Sequence, residues 1–269
     1  MSQQSAKSLA KNARVSCLKA VHVGKTSHVG SSLSGIDILA VLYSGAANVD
    51  PGNPDMVDRD IVVLSKGHAA AGLYSVLANA GFFPVDWLDD YCADGSLLGG
   101  HVTHHGVPGV ELSTGSLGHG LPFGVGAAIA AKRQGRSSRT FVVVSDGECD
   151  EGTTWESALI AGHHELGNLT VVVDRNHIQS LAPTEDTLRL EPFADKWRSF
   201  GWEVSEVDGH DYQAIEDALG HRSNAPHVLI CDTVKGKGVS FMENTVLWHY
   251  RSPSDEDLAA ALEEVNTAS

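Results

Sequence analysis

Two short β-branched runs, Thr140 to Val144 (TFVVV) and Leu169 to Val173 (LTVVV), constrain this chain more than any other feature. Runs of this kind form buried parallel strands. Each leads directly into polar loop residues, Ser145-Asp146-Gly147-Glu148 after the first and Asn176 shortly after the second. Open α/β sheets place ligands at the carboxyl ends of their strands, and a hard cation such as Mg²⁺ needs only one or two protein oxygens when phosphate and water supply the rest. The spacing therefore predicts half of a metal-diphosphate site. Gly147 lets the backbone approach a diphosphate closely.

Other segments extend the α/β pattern. The first forty-odd residues read as helical, with Ser34 or Asp37 as caps before ILAVLYSGAANV. A strand at Ile61 to Leu64 leads through Ser65-Lys66-Gly67-His68 into a helix from about Ala69 to Ala80. Leu97 to Gly120 is a glycine- and histidine-rich loop, and loops that long are usually functional or disordered. A helix at 121–133 and another at 151–166 alternate with the two β-branched strands, which implies parallel strands joined by crossover helices. Further strands are expected near 203–207 and at 227–232, a helix near 212–219, and a final charged helix from about Pro253. The expected fold is one doubly wound α/β domain over residues 1–269, with a mainly parallel sheet and helices on both faces.

Charge and composition narrow the function. The chain of 269 residues carries 34 acidic against 19 basic residues, a formal charge of −15, which argues against general nucleic-acid or membrane-surface binding. Cys17, Cys92, Cys149 and Cys231 are far apart with no CxxC pair, so they read as reduced thiols. The amino terminus, MSQQSAKSLAKN, lacks the apolar core of a signal peptide, and no apolar run is expected to approach a membrane span. These features predict a soluble, cytoplasmic protein that acts on small molecules.

Asp146 and Asn176 supply a carboxylate and an amide oxygen for a cation, with a nearby main-chain carbonyl, that of Ile178 the candidate, as a third ligand. Taken alone, the pair is explained as well by a helix cap and a turn. His28, His68, His101 and His249 sit beside small or loop-forming residues, where imidazoles can donate to phosphate or sugar oxygens and move protons. His163-His164-Glu165 and His104-His105 look superficially like zinc ligands. Neither matches HExxH, and adjacent histidines on a helix diverge by about 100°. Lys235-Gly236-Lys237-Gly238 lacks the spacing of a phosphate loop, yet it can place an ammonium on a diphosphate.

Taken in order, TSHVGSS, DRDIVVLSKGH, GGHVTHHGVPGVELSTGSLGHG, SDGECDEG with DRNHIQ, FGWEVSEVDGHD and TVKGKGVSFMENTVLWH resemble the amino-terminal half of transketolases over about residues 14 to 250. The resemblance implies a domain that holds thiamine diphosphate through Mg²⁺. By position, Asp146, Asn176 and the Ile178 carbonyl correspond to metal ligands. Gly147 and His68 correspond to diphosphate contacts. Ser31, Lys235 and His249 match further cofactor contacts, and Gly115, Ser116 and Leu117 match the loop that meets the aminopyrimidine. His28, His101 and His249 correspond to histidines lining the substrate channel, and Glu151 to a glutamate in a carboxylate network across a dimer interface.

Three departures from the family pattern stand out. Ser145 replaces the first glycine of the usual GDG, and Asp174-Arg175-Asn176 stands where related enzymes often have two adjacent asparagines. The chain also ends where a complete transketolase continues into a pyrimidine-binding and a carboxyl-terminal domain. In the family, the glutamate that activates the cofactor and the cluster that grips a sugar phosphate belong to those later domains. The expectation is one subunit of a split transketolase, inactive alone, which moves a two-carbon ketol unit between sugars or sugar phosphates. A separately encoded partner would supply the activating glutamate, in a heterotetramer with two of each chain. The alternatives are a subunit of a deoxyxylulose-phosphate synthase-like enzyme, a 2-oxoacid dehydrogenase alpha subunit, or a non-catalytic cofactor-binding homologue.

Overall fold

A computed structural model describes residues 5–267 of the chain. The expected span of 1–269 thus runs past the described residues at both ends. Five strands, β1 (Ile61–Leu64), β2 (Thr140–Ser145), β3 (Leu169–Arg175), β4 (Glu203–Asp208) and β5 (His227–Asp232), form one sheet in the order β1-β2-β3-β5-β4. Every pairing is parallel. Thr140 lies opposite both Ile61 and Leu169, and His227 opposite both Thr170 and Glu203, so the carboxyl ends of the strands line one edge. That common edge is where the site forms.

Side-chain alternation splits the apolar runs between two faces. Phe141, Val143, Val172 and Leu229 pack under α1 (Ala6–Val23), α2 (Val29–Val41), α3 (Ala70–Ala80) and, nearer the edge, helix Tyr212–Leu219. Val142, Val144, Val171, Val173 and Val228 pack under α4 (Gly120–Arg133), α5 (Gly152–His163) and a helix at Phe193–Ser199. The layout is the expected three layers, helix on sheet on helix. In chain order the remaining helices are α6 (Thr184–Thr187), α7 (Phe193–Ser199), α8 (Tyr212–Leu219) and α9 (Asp255–Thr267). β4 is the exposed edge, and Glu203, Glu206 and Asp208 face solvent along it, a charge pattern that discourages pairing with another chain.

The structure changes several expectations. Ser34 and Asp37 are not caps: both are buried inside α2, which instead starts after His28 in a left-handed conformation (φ 69°). Their oxygens are used inward. Asp37 accepts from Arg14 at 2.5 Å, His210 at 2.7 Å and Tyr212 at 2.7 Å. The expected lack of a span-length apolar run also fails, because Val29–Ala46 is 18 helical residues, apolar enough to cross a membrane by length and composition. It is 83% buried within the fold, which explains its composition, since a helix between sheet and helices is apolar on most sides. α6 and α7 had no expectation. The 97–120 segment is a loop, as expected, and it is pinned: Thr114 Oγ1 donates to the Leu64 carbonyl at 2.7 Å and the Val102 N–H to the Gly67 carbonyl at 3.1 Å.

Candidate active site

β1 ends in Ser65-Lys66-Gly67-His68, β2 in Ser145-Asp146-Gly147, β3 in Asp174-Arg175-Asn176, and the chain leaves β5 through Thr233-Val234-Lys235. The start of α2 and the turn Leu247–His249 close the other side, tied by the His28 N–H donating to the His249 carbonyl at 2.9 Å. Between them lies a cleft of about 230 Å³. Asp146, Gly147, Asn176 and Ile178 form one wall, His28, Ser31, His68 and His249 another, and Gly115 with Leu117 a third. Of the other residues named from the sequence, His101 is exposed and does not line the cleft, its ring centroid 5.9 Å from that of His28. Lys235 is fully buried beneath the floor. Ser116 and Glu151 do not line the cleft. A larger groove of about 640 Å³, lined by Arg175 and Lys237 among others, contains none of the ligand or proton-transfer residues proposed from the sequence.

Asp146 is buried, and its oxygens accept from the Gly147 N–H at 2.7 Å and the His177 N–H at 2.7 Å. Burial, with the nearby Asp174 charge, raises its carboxyl above the usual range, against the opposing pull of Arg175 and these two N–H groups. The Asn176 side-chain oxygen accepts from the Ile178 N–H at 3.2 Å. The Lys235 ammonium donates to the Ile178 carbonyl at 2.9 Å and to His249 Nδ1 at 3.1 Å. An ammonium offers donors only, so Nδ1 accepts and the ring proton of His249 sits on Nε2. Burial lowers Lys235 to about 8, Asp146 pulling the other way.

The imidazoles crowd together. His28 lies 5.2 Å from His68 and 4.9 Å from His249, centroid to centroid. Burial, then the charges of His101 and Lys235, lowers His28 to about 4, and burial with Lys235 and His28 lowers His249 to about 3. Burial, followed by the charges of Lys66, His28 and His249, holds His68 well below the ordinary histidine value. These three rings are therefore neutral at pH 7, able to donate at one nitrogen and accept at the other.

A family model described as transketolase, thiamine diphosphate binding domain, matches residues 5–266. The chain belongs to the transketolase family. One relative, from Actinobacillus succinogenes, is named as a subunit of an apulose-4-phosphate transketolase; it is 44% identical over 240 residues, 88% of this chain and 87% of its own. A 6-deoxy-6-sulfo-D-fructose transketolase subunit from a Clostridium species is 38% identical over 248 residues, 90% of each chain. Among solved structures, the transketolase from Leishmania mexicana superposes with a TM-score of 0.91 at 31% identity, covering 98% of this chain and 42% of that one. This transketolase-family domain thus corresponds to less than half of the solved enzyme.

The residues fit the cofactor such a domain holds. The cleft wall offers hard oxygens only, one carboxylate, one amide and one main-chain carbonyl, the set an oxygen-seeking cation takes with diphosphate oxygens completing its shell. Among the described residues no group of three or more His, Cys, Asp or Glu side chains could hold a metal by itself. Gly147 keeps the wall open, since a Cβ there would stand 3.0 Å from the Gln179 side chain. Reading the sequence missed three buried groups that organise this transketolase-family site: Lys66, Asp174 and Glu148. Charged residues at the ends of apolar runs are the signal that could have found them.

Proposed function

We propose that this chain is the diphosphate-binding subunit of a split, thiamine diphosphate- and Mg²⁺-dependent transketolase, and that residues 5–267 work as one domain. The observation that carries the reading is the convergence of Asp146, Asn176 and the Ile178 carbonyl with neutral His28, His68 and His249 on one cleft. Asp146, Asn176 and Ile178 hold the cation. Gly147, His68 and Ser31 face the diphosphate, with Lys235 behind them holding the Ile178 carbonyl and His249, and Gly115 and Leu117, with Ser116 between them, form the loop that meets the aminopyrimidine. When bound, thiamine diphosphate supplies the carbon nucleophile and electron sink for cleaving the bond beside a ketose carbonyl. His28, His101 and His249 hold and move protons at the sugar hydroxyls. The neutral ring of His28 can serve as donor or acceptor along the channel, whereas His249, whose Nδ1 is taken by the Lys235 ammonium, presents its Nε2–H as a donor. Glu151, at the amino-terminal end of α5, meets a second protein chain.

Two of the similar proteins are named as subunits of apulose-4-phosphate transketolases and are close to this chain in length, which supports a partner chain for this one. That partner contributes the pyrimidine-binding domain, the activating glutamate and the sugar-phosphate contacts, and two of each chain form a heterotetramer in the cytoplasm. The test is ketol transfer with thiamine diphosphate and Mg²⁺, measured for the chain alone, the partner alone and the mixture. Activity is expected only in the mixture; full activity of the chain alone overturns the split-enzyme reading.

A further inference from the structure

Glu148 is fully buried two residues beyond Asp146, and its carboxylate meets donors from three parts of the chain. Oε1 accepts from the Ser65 hydroxyl at the end of β1 and, at 2.8 Å, from the Gly118 N–H. Ser65 Oγ itself accepts the Gly120 N–H at 3.0 Å, so its single proton is committed to Glu148. Oε2 faces the Ser145 N–H at 3.4 Å. Gly118 and Gly120 bracket the start of α4, whose preceding residue His119 gives no side-chain cap. The first N–H groups of a helix need acceptors, and a negative charge there is favourable. Ser65 provides one of those acceptors, for Gly120, and Glu148 takes the Gly118 N–H just before the helix.

We propose that Glu148 is a positioning residue, which clamps the Gly115–Gly120 loop to the ends of β1 and β2 and so sets the wall that meets the ring end of the cofactor. The inference rests on the cofactor reading given above. The opposite side of the loop is held as well: Thr153 Oγ1 donates to the Gly118 carbonyl at 2.8 Å, and a Cβ at Gly118 (φ 80°) would stand 2.7 Å from that of Glu151. Gly118 is thus gripped between residues at either end of the turn that follows β2. The same arrangement accounts for serine in place of glycine at position 145. Ser145 Oγ accepts the Glu148 N–H at 3.1 Å and closes the turn that aims the carboxylate inward.

The experiment compares Glu148→Ala, Glu148→Gln and Ser65→Ala with the parent chain, in two readouts. Amide hydrogen exchange, which needs no cofactor, should show Gly115–Gly120 losing protection by about tenfold or more in Glu148→Ala while the strands stay protected. Glu148→Gln keeps an oxygen for both donors and should retain most of it, and Ser65→Ala should expose Gly120 more than Gly118. Calorimetry in Mg²⁺ with the partner chain present should show Glu148→Ala weakening thiamine diphosphate by about tenfold while inorganic pyrophosphate, which lacks the ring end, binds unchanged. Unaltered loop exchange in Glu148→Ala, or equal loss of both ligands, overturns the proposal. Failure of the parent chain, mixed with its partner, to bind either ligand would instead count against the cofactor reading, while the exchange data would still decide the clamp.

Discussion

The ammonium of Lys66 donates to a carboxylate oxygen of Asp174, and both groups are sealed from solvent. Lys66 also donates to the Ser31 carbonyl at 2.9 Å, while Asp174 accepts from Ser34 at 2.6 Å and from Thr233. Burial pushes the Asp174 carboxyl up, but the Lys66 charge and these donors outweigh it and hold it below the usual range. One ion pair therefore joins β1, α2, β3 and the exit from β5. Those elements carry His68, Ser31, Asn176 and Lys235.

Removing one member of that pair should cost far more than removing both. Lys66→Met leaves a buried carboxylate with hydroxyl partners only, a loss of about 3–5 kcal/mol of folding stability. Lys66→Met with Asp174→Leu should recover much of it. Urea titrations of the three chains check this; equal losses would show that packing, and not the charge, is at stake.

Asp146→Ala is expected to abolish Mg²⁺-dependent binding of thiamine diphosphate and leave the far-ultraviolet circular dichroism unchanged. The substitution removes an oxygen ligand and a charge that Asp174 disfavours, with no loss of core packing. Calorimetry at matched Mg²⁺ gives the answer, and unchanged affinity would count against the site.

Gly67→Ala should disturb the cleft through its wall. A Cβ at Gly67 would lie 2.3 Å from the Thr114 carbonyl carbon, main chain that cannot rotate away. The loop carrying Gly115 and Leu117 must then move, and the melting temperature should fall by several degrees, as about 1–3 kcal/mol of overpacking implies. A thermal melt with a pyrophosphate titration separates the two effects.

Stability should decline on mild acidification. Burial and the His221 charge lower the pKa of His227 to about 4, with Glu203 opposing, against about 6.5 in an unfolded chain. Between those values the unfolded state binds a proton that the folded state refuses, so stability is lost as pH falls from about 6.5 toward 4. His227→Gln should make the melting temperature less sensitive to a shift from pH 7 to pH 5. His28, His68 and His249, which are lowered too, add to the residual slope, while the carboxyls of Asp146 and Glu148, raised by burial, oppose it.

The strands were legible because TFVVV and LTVVV are local signals, apolar on both faces and of strand length. The polar residues at their ends were legible for the same reason: a strand end must turn, and Asp146, Gly147 and Asn176 suit both turn and ligand. α2 was misread around Ser34 and Asp37 because a serine or aspartate looks like a cap wherever it falls. Whether it caps depends on partners far away, Asp174 for Ser34 and Arg14, His210 and Tyr212 for Asp37. No window of sequence contains those pairs.

Local composition determined where strands and turns form, and the ordered motifs determined the family. The folded chain decided which charges meet. Lys66 finds Asp174 across 108 positions and Ser65 finds Glu148 across 83, each pair joined only because parallel strands bring their carboxyl ends to one edge. Desolvation there keeps the histidines neutral even in mild acid and brings Lys66 and Asp174 together away from water, and neither property exists in the unfolded sequence, where water surrounds every group.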